Sequence, residues 1–190
     1  MNDLYDKGKK YYEIGKYHKV IKIMKKVSKT GNADAPAILG FIYIVKGKYK
    51  KAVYWLTIAA ERGNSDAQFE LATLYDEGEE IPWNPEKAFH WFMELAKADN
   101  SSGMFEVGRL YAKGEGVEKN NEKALYWIEK SAECGNDGAQ FMLGRMYLHE
   151  LGEPCVEKDL QKGIYWLEKS ANGGNKGAVE LLEKYKSSNL

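Results

Sequence analysis

Apolar side chains recur at spacings of three and four in three stretches of closely similar make-up. They read Ala67-Gln68-Phe69-Glu70-Leu71-Ala72-Thr73-Leu74-Tyr75, Gly103-Met104-Phe105-Glu106-Val107-Gly108-Arg109-Leu110-Tyr111 and Ala139-Gln140-Phe141-Met142-Leu143-Gly144-Arg145-Met146-Tyr147. That period predicts an amphipathic helix in each, termed helix A. Ala72, Gly108 and Gly144 hold a small residue at one register, and Gly40 fills it in an earlier stretch. Glycine costs up to about 1 kcal/mol inside a helix. Its presence there predicts that a neighbouring helix approaches closely.

A second pattern follows each helix A. Lys51-Ala52-Val53-Tyr54-Trp55, Lys87-Ala88-Phe89-His90-Trp91, Lys123-Ala124-Leu125-Tyr126-Trp127 and Lys162-Gly163-Ile164-Tyr165-Trp166 open a helix B, their tryptophans 36, 36 and 39 residues apart. Gly78, Gly114-Glu115-Gly116 and Gly152 are the stop signals before it. Asn84, Asn120 and Asp159 are expected caps, since a short polar side chain there accepts from free backbone N–H groups. Pro85 suits the first helical position. Asp99-Asn100, Gly135-Asn136 and Gly174-Asn175 turn the chain into the next helix A.

A repeat of this length marks a stacked solenoid whose units cannot bury their apolar faces alone. The expected fold is all-α: a right-handed α-α solenoid of about five antiparallel helix pairs plus a C-terminal capping helix. One repeat domain over 1–190 would comprise units at about 2–32, 33–64, 67–100, 103–136 and 139–175, with the capping helix at 176–187. The first two units are shorter; Lys46-Gly47-Lys48-Tyr49 alone joins the helices of the second.

Composition narrows the function. No apolar run approaches the roughly 20 residues that span a bilayer, and the polar start lacks the apolar stretch of a secretory signal. A cytoplasmic protein with no membrane partner is expected. Cys134 and Cys155 are too few for a disulfide framework and read either as reduced thiols or as one bridge from a helix end to a loop about twenty residues later. Net charge is zero, yet residues 1–51 carry 13 Lys against 4 Asp and Glu, leaving −9 on residues 52–190. That polarity would steer a charged partner or drive self-association of an otherwise monomeric chain, or Lys simply solvates a degenerate first repeat. The basic part has no Arg or aromatic pattern for stacking bases, so nucleic acid is not an expected partner.

The units resemble Sel-one-like repeats, the longer-looped relatives of tetratricopeptide repeats. Residues 103–135 carry the pattern nearly throughout: Val107-Gly108, Tyr111, Gly114-Glu115-Gly116-Val117, Asn120, Lys123-Ala124, Trp127, Ser131-Ala132 and Gly135. Residues 67–99 and 139–174 follow it with departures at Glu80 and Glu153-Pro154, and the shorter units read as ordinary tetratricopeptide repeats. The resemblance implies a non-catalytic scaffold that binds another protein or a peptide in a concave groove. Some bacterial members are immunity proteins that neutralise a toxin, which is the alternative. The cysteine pairs of secreted relatives are missing here.

By the same resemblance, the inward rows take in Ala37, Phe41 and Ile44, then Phe69, Thr73 and Asp76, then Phe105, Arg109 and Ala112, and last Phe141, Arg145 and Leu148. The phenylalanines line a groove or fill the space between helices; the arginines are expected at the groove, because Arg is rarely buried unpaired. Trp83, without a counterpart in other units, is either an exposed anchor or a side chain folded over helix ends. An enzyme, such as a hydrolase, has little support. His18, His90 and His149 belong to different units, and His90 stands where Tyr54, Tyr126 and Tyr165 stand elsewhere. His149 and Cys155 lack zinc-ligand spacing. Gly114-Glu115-Gly116 has no preceding strand to make a phosphate loop. No catalytic residue, metal or cofactor is assigned.

Overall fold

The computed structural model describes residues 2–149 and 156–188. Gly152, the Glu153-Pro154 step and Cys155 lie outside them. The described residues are all-α, with no strand among them. Consecutive helices form the hairpins α1 (Asn2–Glu13) with α2 (Tyr17–Val27), α3 (Asp34–Val45) with α4 (Tyr49–Glu61), and α7 (Ser101–Lys113) with α8 (Asn121–Glu133). The hairpin of α9 (Asp137–Tyr147) and α10 (Leu160–Asn172) is followed by α11 (Lys176–Ser188). Between them in the chain lie α5 (Ser65–Glu77) and α6 (Pro85–Lys97). The chain divides into two compact units, Met1–Trp91 and Phe92–Leu190, with the division inside α6.

Within each unit, small residues let paired helices meet, as the sequence predicts. A Cβ on Gly108 would stand 2.7 Å from Ile128 Cγ1 and 3.1 Å from the Ala124 carbonyl oxygen. One on Gly144 would stand 2.8 Å from Leu167 Cγ, and one on Gly40 2.6 Å from Leu56 Cγ. Each glycine forgoes helix propensity so that a buried leucine or isoleucine of helix B can lie against bare backbone. Burying such a side chain is worth about 1.5–3 kcal/mol, more than the propensity it costs.

The core of the first unit runs from Val20, Met24, Leu39 and Ile42 to Leu56, Ala60, Ala67 and Leu71. The second gathers Ile128, Ala132, Ala139 and Leu143, then Leu148, Leu167, Ala178 and Leu182. Successive hairpins are also latched through polar side chains. Gln68 Nε2 donates to the Ala60 carbonyl at 3.1 Å, and Gln140 Nε2 to the Ala132 carbonyl at 3.0 Å. Arg62 reaches back to the Ser28 and Asn32 carbonyls at 2.8 and 3.0 Å. The Ala60 and Ala132 carbonyls thus accept a side-chain bond from the next helix in addition to the backbone bonds from Gly63 and Gly135.

Helix starts follow the asparagines. Asn84, Asn120 and Asp159 accept from the backbone N–H of Lys87, Lys123 and Lys162 at 2.8 to 2.9 Å, as expected of caps. Asn64, Asn100, Asn136 and Asn175 do the same for the A helices, at 2.8 to 3.1 Å. The turns before three of them need a left-handed residue, supplied by Gly63, Gly135 and Gly174; before Asn100 it is Asp99, with φ 58°.

One joint recurs at five connections between consecutive helices. The residue heading helix B donates its backbone N–H to the carbonyl of the helix A tyrosine: Lys16 to Tyr11, Lys48 to Tyr43, Asn84 to Tyr75, Asn120 to Tyr111 and Asp159 to Tyr147, at 2.8 to 3.0 Å. Three residues later a lysine ammonium stands over that tyrosine's ring. Lys19, Lys51, Lys87, Lys123 and Lys162 lie 5.1, 5.8, 4.9, 5.4 and 5.3 Å from the ring centroids. The chain spanned by the joint is 4, 4, 8, 8 and 11 residues long. Extra loop length is therefore carried outside a closure whose geometry stays constant.

Candidate functional site

The two eight-residue insertions share a backbone solution. Gly78 and Gly114 take φ of 67° and 77° and accept the chain returning over them, at Trp83 and Lys119 respectively. A Cβ on Gly78 would lie 2.6 Å from that of Trp83. This packing anchors the root of Trp83 and leaves its indole outward, 59% exposed. Asp76 begins the same insertion, half-buried, and Glu77, Glu79 and Glu80 beside it are exposed. The Tyr49 hydroxyl donates to Glu80, which raises the tyrosine's pKa.

The expected inward residues are mostly half-buried in their own units; Ala37 and Leu148 instead belong to the core, and Ala112 is exposed. In the first, Phe41 packs against the cluster around Leu56 and Leu71. Phe69 and Thr73 lie on α5. In the second, Phe105 and Phe141 lean on the first turn of the next A helix. A Cβ on Gly138 would stand 3.7 Å from Phe105 Cζ, and one on Gly177 3.1 Å from Phe141 Cζ. Both rings thus help join successive hairpins.

Arg109 and Arg145 are held in different ways. Arg109 Nε donates to Glu106 at 2.6 Å, and its Nη1 to Glu115 at 3.4 Å, while Lys113 also approaches Glu115 at 3.5 Å. Arg145 stacks its guanidinium 5.5 Å from the Phe141 centroid. Glu106 and Glu115 were not among the expected site residues. Glu106, three residues before Arg109, carries a helical pairing spacing that could have exposed it; Glu115 comes from the loop and has no such signal.

Where α5 has Thr73 in place of Arg, Glu70 is less favourably placed. Burial raises its pKa, and Glu77 adds to the effect. Glu129 is likewise raised by burial and by Glu133, against an opposing pull from Lys162.

The B helices show a repeated aromatic pair. Tyr54, Tyr126 and Tyr165 meet Trp55, Trp127 and Trp166 edge-on at 5.1 to 5.3 Å, and His90 takes the same place beside Trp91 at 4.7 Å. Lys130 and Lys169 sit over both rings of their pairs. The hydrogen bond from Lys130 to Tyr126 raises the lysine's pKa. His149 Nε2 lies 2.9 Å from the Val156 carbonyl oxygen, and Cys134 is an exposed free thiol. Among the described residues no three of His, Cys, Asp and Glu come together as a metal site, and no helix is long and apolar enough to cross a membrane.

The family model described as Sel1 repeat matches residues 40–64, 65–100, 101–136 and 138–175. No curated protein matches the chain. Among solved structures, the chain is similar to a protective antigen of uropathogenic Escherichia coli strains displaying an SLR fold. That match has 26% identity and a TM-score of 0.80, over 90% of this chain and 37% of that one. A Sel1 repeat protein from Oxalobacter formigenes is 29% identical with a TM-score of 0.64, over 80% and 61%. An immunity protein from Pseudomonas aeruginosa shares the fold at 20% identity and a TM-score of 0.52, over 85% and 59%. The chain spans less than two thirds of the length of each.

Proposed function

Because the chain belongs to the Sel1 repeat family, we propose that it is a non-catalytic scaffold that binds a partner protein or peptide along its A helices. The observation that carries this reading is the pair Arg109 and Arg145. They occupy one register of successive A helices in the second unit, each oriented by its own repeat through Glu106 and Glu115 or through Phe141. A guanidinium already held in place loses less freedom when a partner docks, and arginine is enriched among the residues that dominate binding energy. Phe105 and Phe141 frame the pair. In the first unit, Phe41, Phe69, Thr73 and Asp76 would make the corresponding contribution, with Trp83 as an aromatic anchor.

The test is affinity capture with mass spectrometry, then calorimetry of the partner so found against wild type and the Arg109→Ala/Arg145→Ala double variant. Loss of about 2 kcal/mol or more of binding energy is expected if these are hot-spot residues. Equal affinity in a folded double variant would reject the site. A narrower reading makes the partner a toxin, since the same fold serves as an immunity protein in Pseudomonas aeruginosa. It requires that expression of this chain protect cells from a toxin it binds, and failure to protect would discard it.

A further inference from the structure

A second surface lies around α2, away from the arginines. Residues 1–51 hold 13 lysines, no arginine and 4 acidic residues, and α2 itself contains no carboxylate. His18, Lys19, Lys22, Lys25 and Lys26 are exposed along it, while Val20, Met24 and Val27 occupy the core. Lys16, Tyr17, His18, Lys19 and Lys46 line an open depression of about 360 Å³. Lys46 is held 5.9 Å from the Tyr17 centroid, much as Lys19 is held over Tyr11. Among the described residues, none of the lysines from 7 to 51 pairs with a carboxylate. Ile14, two residues before Lys16, and Val45, just before Lys46, are 61% and 67% exposed.

We propose that this lysine face docks an acidic segment of a partner protein, its carboxylates meeting Lys16, Lys19 and Lys46 and an apolar side chain resting on Ile14 and Val45. Like charges crowded without counter-charges repel one another, and an arriving polyanion relieves that repulsion while being steered from a distance. The chemistry favours protein over nucleic acid. No arginine fork is present in residues 1–61 to grip phosphates. The Tyr11 and Tyr17 rings are covered by lysines of the protein itself, where bases would need open faces for stacking. A bilayer is disfavoured as well, because the apolar stripe of α2 is already buried and leaves no face to insert.

The test measures anisotropy of a labelled glutamate-rich peptide with one central leucine, at low and at physiological salt. Wild type should bind it, more weakly as salt rises. Both the Lys16→Glu/Lys19→Glu/Lys46→Glu variant and its glutamine counterpart should lose about tenfold or more in affinity, with far-ultraviolet circular dichroism confirming that they fold. Arg109→Ala/Arg145→Ala should bind the peptide as wild type does, so this surface and the A-helix site stand or fall separately. Undiminished binding by both folded lysine variants would overturn the proposal. So would tighter binding of a single-stranded oligonucleotide or of phosphatidylserine vesicles than of the peptide.

Discussion

The hairpin of α3 and α4 in the first unit and that of α7 and α8 in the second solve one packing problem with different ends. In both, a glycine of helix A admits a large side chain of helix B, Leu56 at Gly40 and Ile128 at Gly108. In both, the joint closes through a tyrosine carbonyl and a lysine over the ring. The connection differs. The short one is headed by Lys48 with no side-chain cap, whereas the long one is headed by Asn120 and carries Glu115 back to Arg109. The difference teaches that loop length is free once the joint is made. The added residues do not make the joint; Ile81 of one insertion is buried in the core of the first unit, while Trp83 beside it and Glu115 in the other insertion present side chains.

The largest effect should be the same in both regions. Gly40→Ala and Gly108→Ala should each destabilise by about 1–3 kcal/mol, because overpacking outweighs the helix propensity gained. Urea unfolding checks this, and a more stable variant would mean that the helices have room. The second effect should split the regions: Asn120→Ala should cost about 1 kcal/mol and Lys48→Ala much less, since only the former removes a cap. Equal losses would erase the contrast.

Third, Asp99→Gly should raise stability by up to about 1 kcal/mol by relieving a left-handed residue, where the same change at a turn already holding Gly63 is unavailable. A drop in melting temperature would show that the Asp99 side chain does more than turn the chain. The smallest effect compares Glu70 with Glu106. A carboxylate whose pKa rises on folding favours the fold when protonated, so Glu70 should make stability fall as pH climbs from its ordinary value through the raised one. Thr73→Arg supplies the partner that Arg109 gives Glu106, and should lessen that fall by a few tenths of a kcal/mol. Acid-to-neutral unfolding curves of the two proteins would show it; identical slopes would remove Glu70 as the cause.

Much of the helical framework was readable from residue order because it depends on near neighbours. Apolar spacing, the small residues at Gly40, Gly108 and Gly144, and the caps at Asn84, Asn120 and Asp159 are all local signals. Asn100, Asn136 and Asn175 read as turn residues, and their capping becomes visible with the N–H groups three residues on. Pairings made by closure were not readable. Lys123 meets Tyr111, and Ser131 Oγ donates to the Ser101 carbonyl at 2.7 Å, only once two helices lie side by side. The candidate site divides the same way. Register places Phe105, Arg109, Phe141 and Arg145 in one row, but whether a ring meets a partner or the next helix depends on neighbours such as Gly138 and Gly177.

Native-state hydrogen exchange is the most direct measurement of a joint that tolerates any loop above it. The backbone amides of Lys16, Lys48, Asn84, Asn120 and Asp159 should all be protected, while amides within 76–83 and 112–119 that lack carbonyl partners exchange quickly. Fast exchange at Asn84 and Asn120, alongside slow exchange at Lys16 and Lys48, would contradict a common closure and make the long loops a different structure.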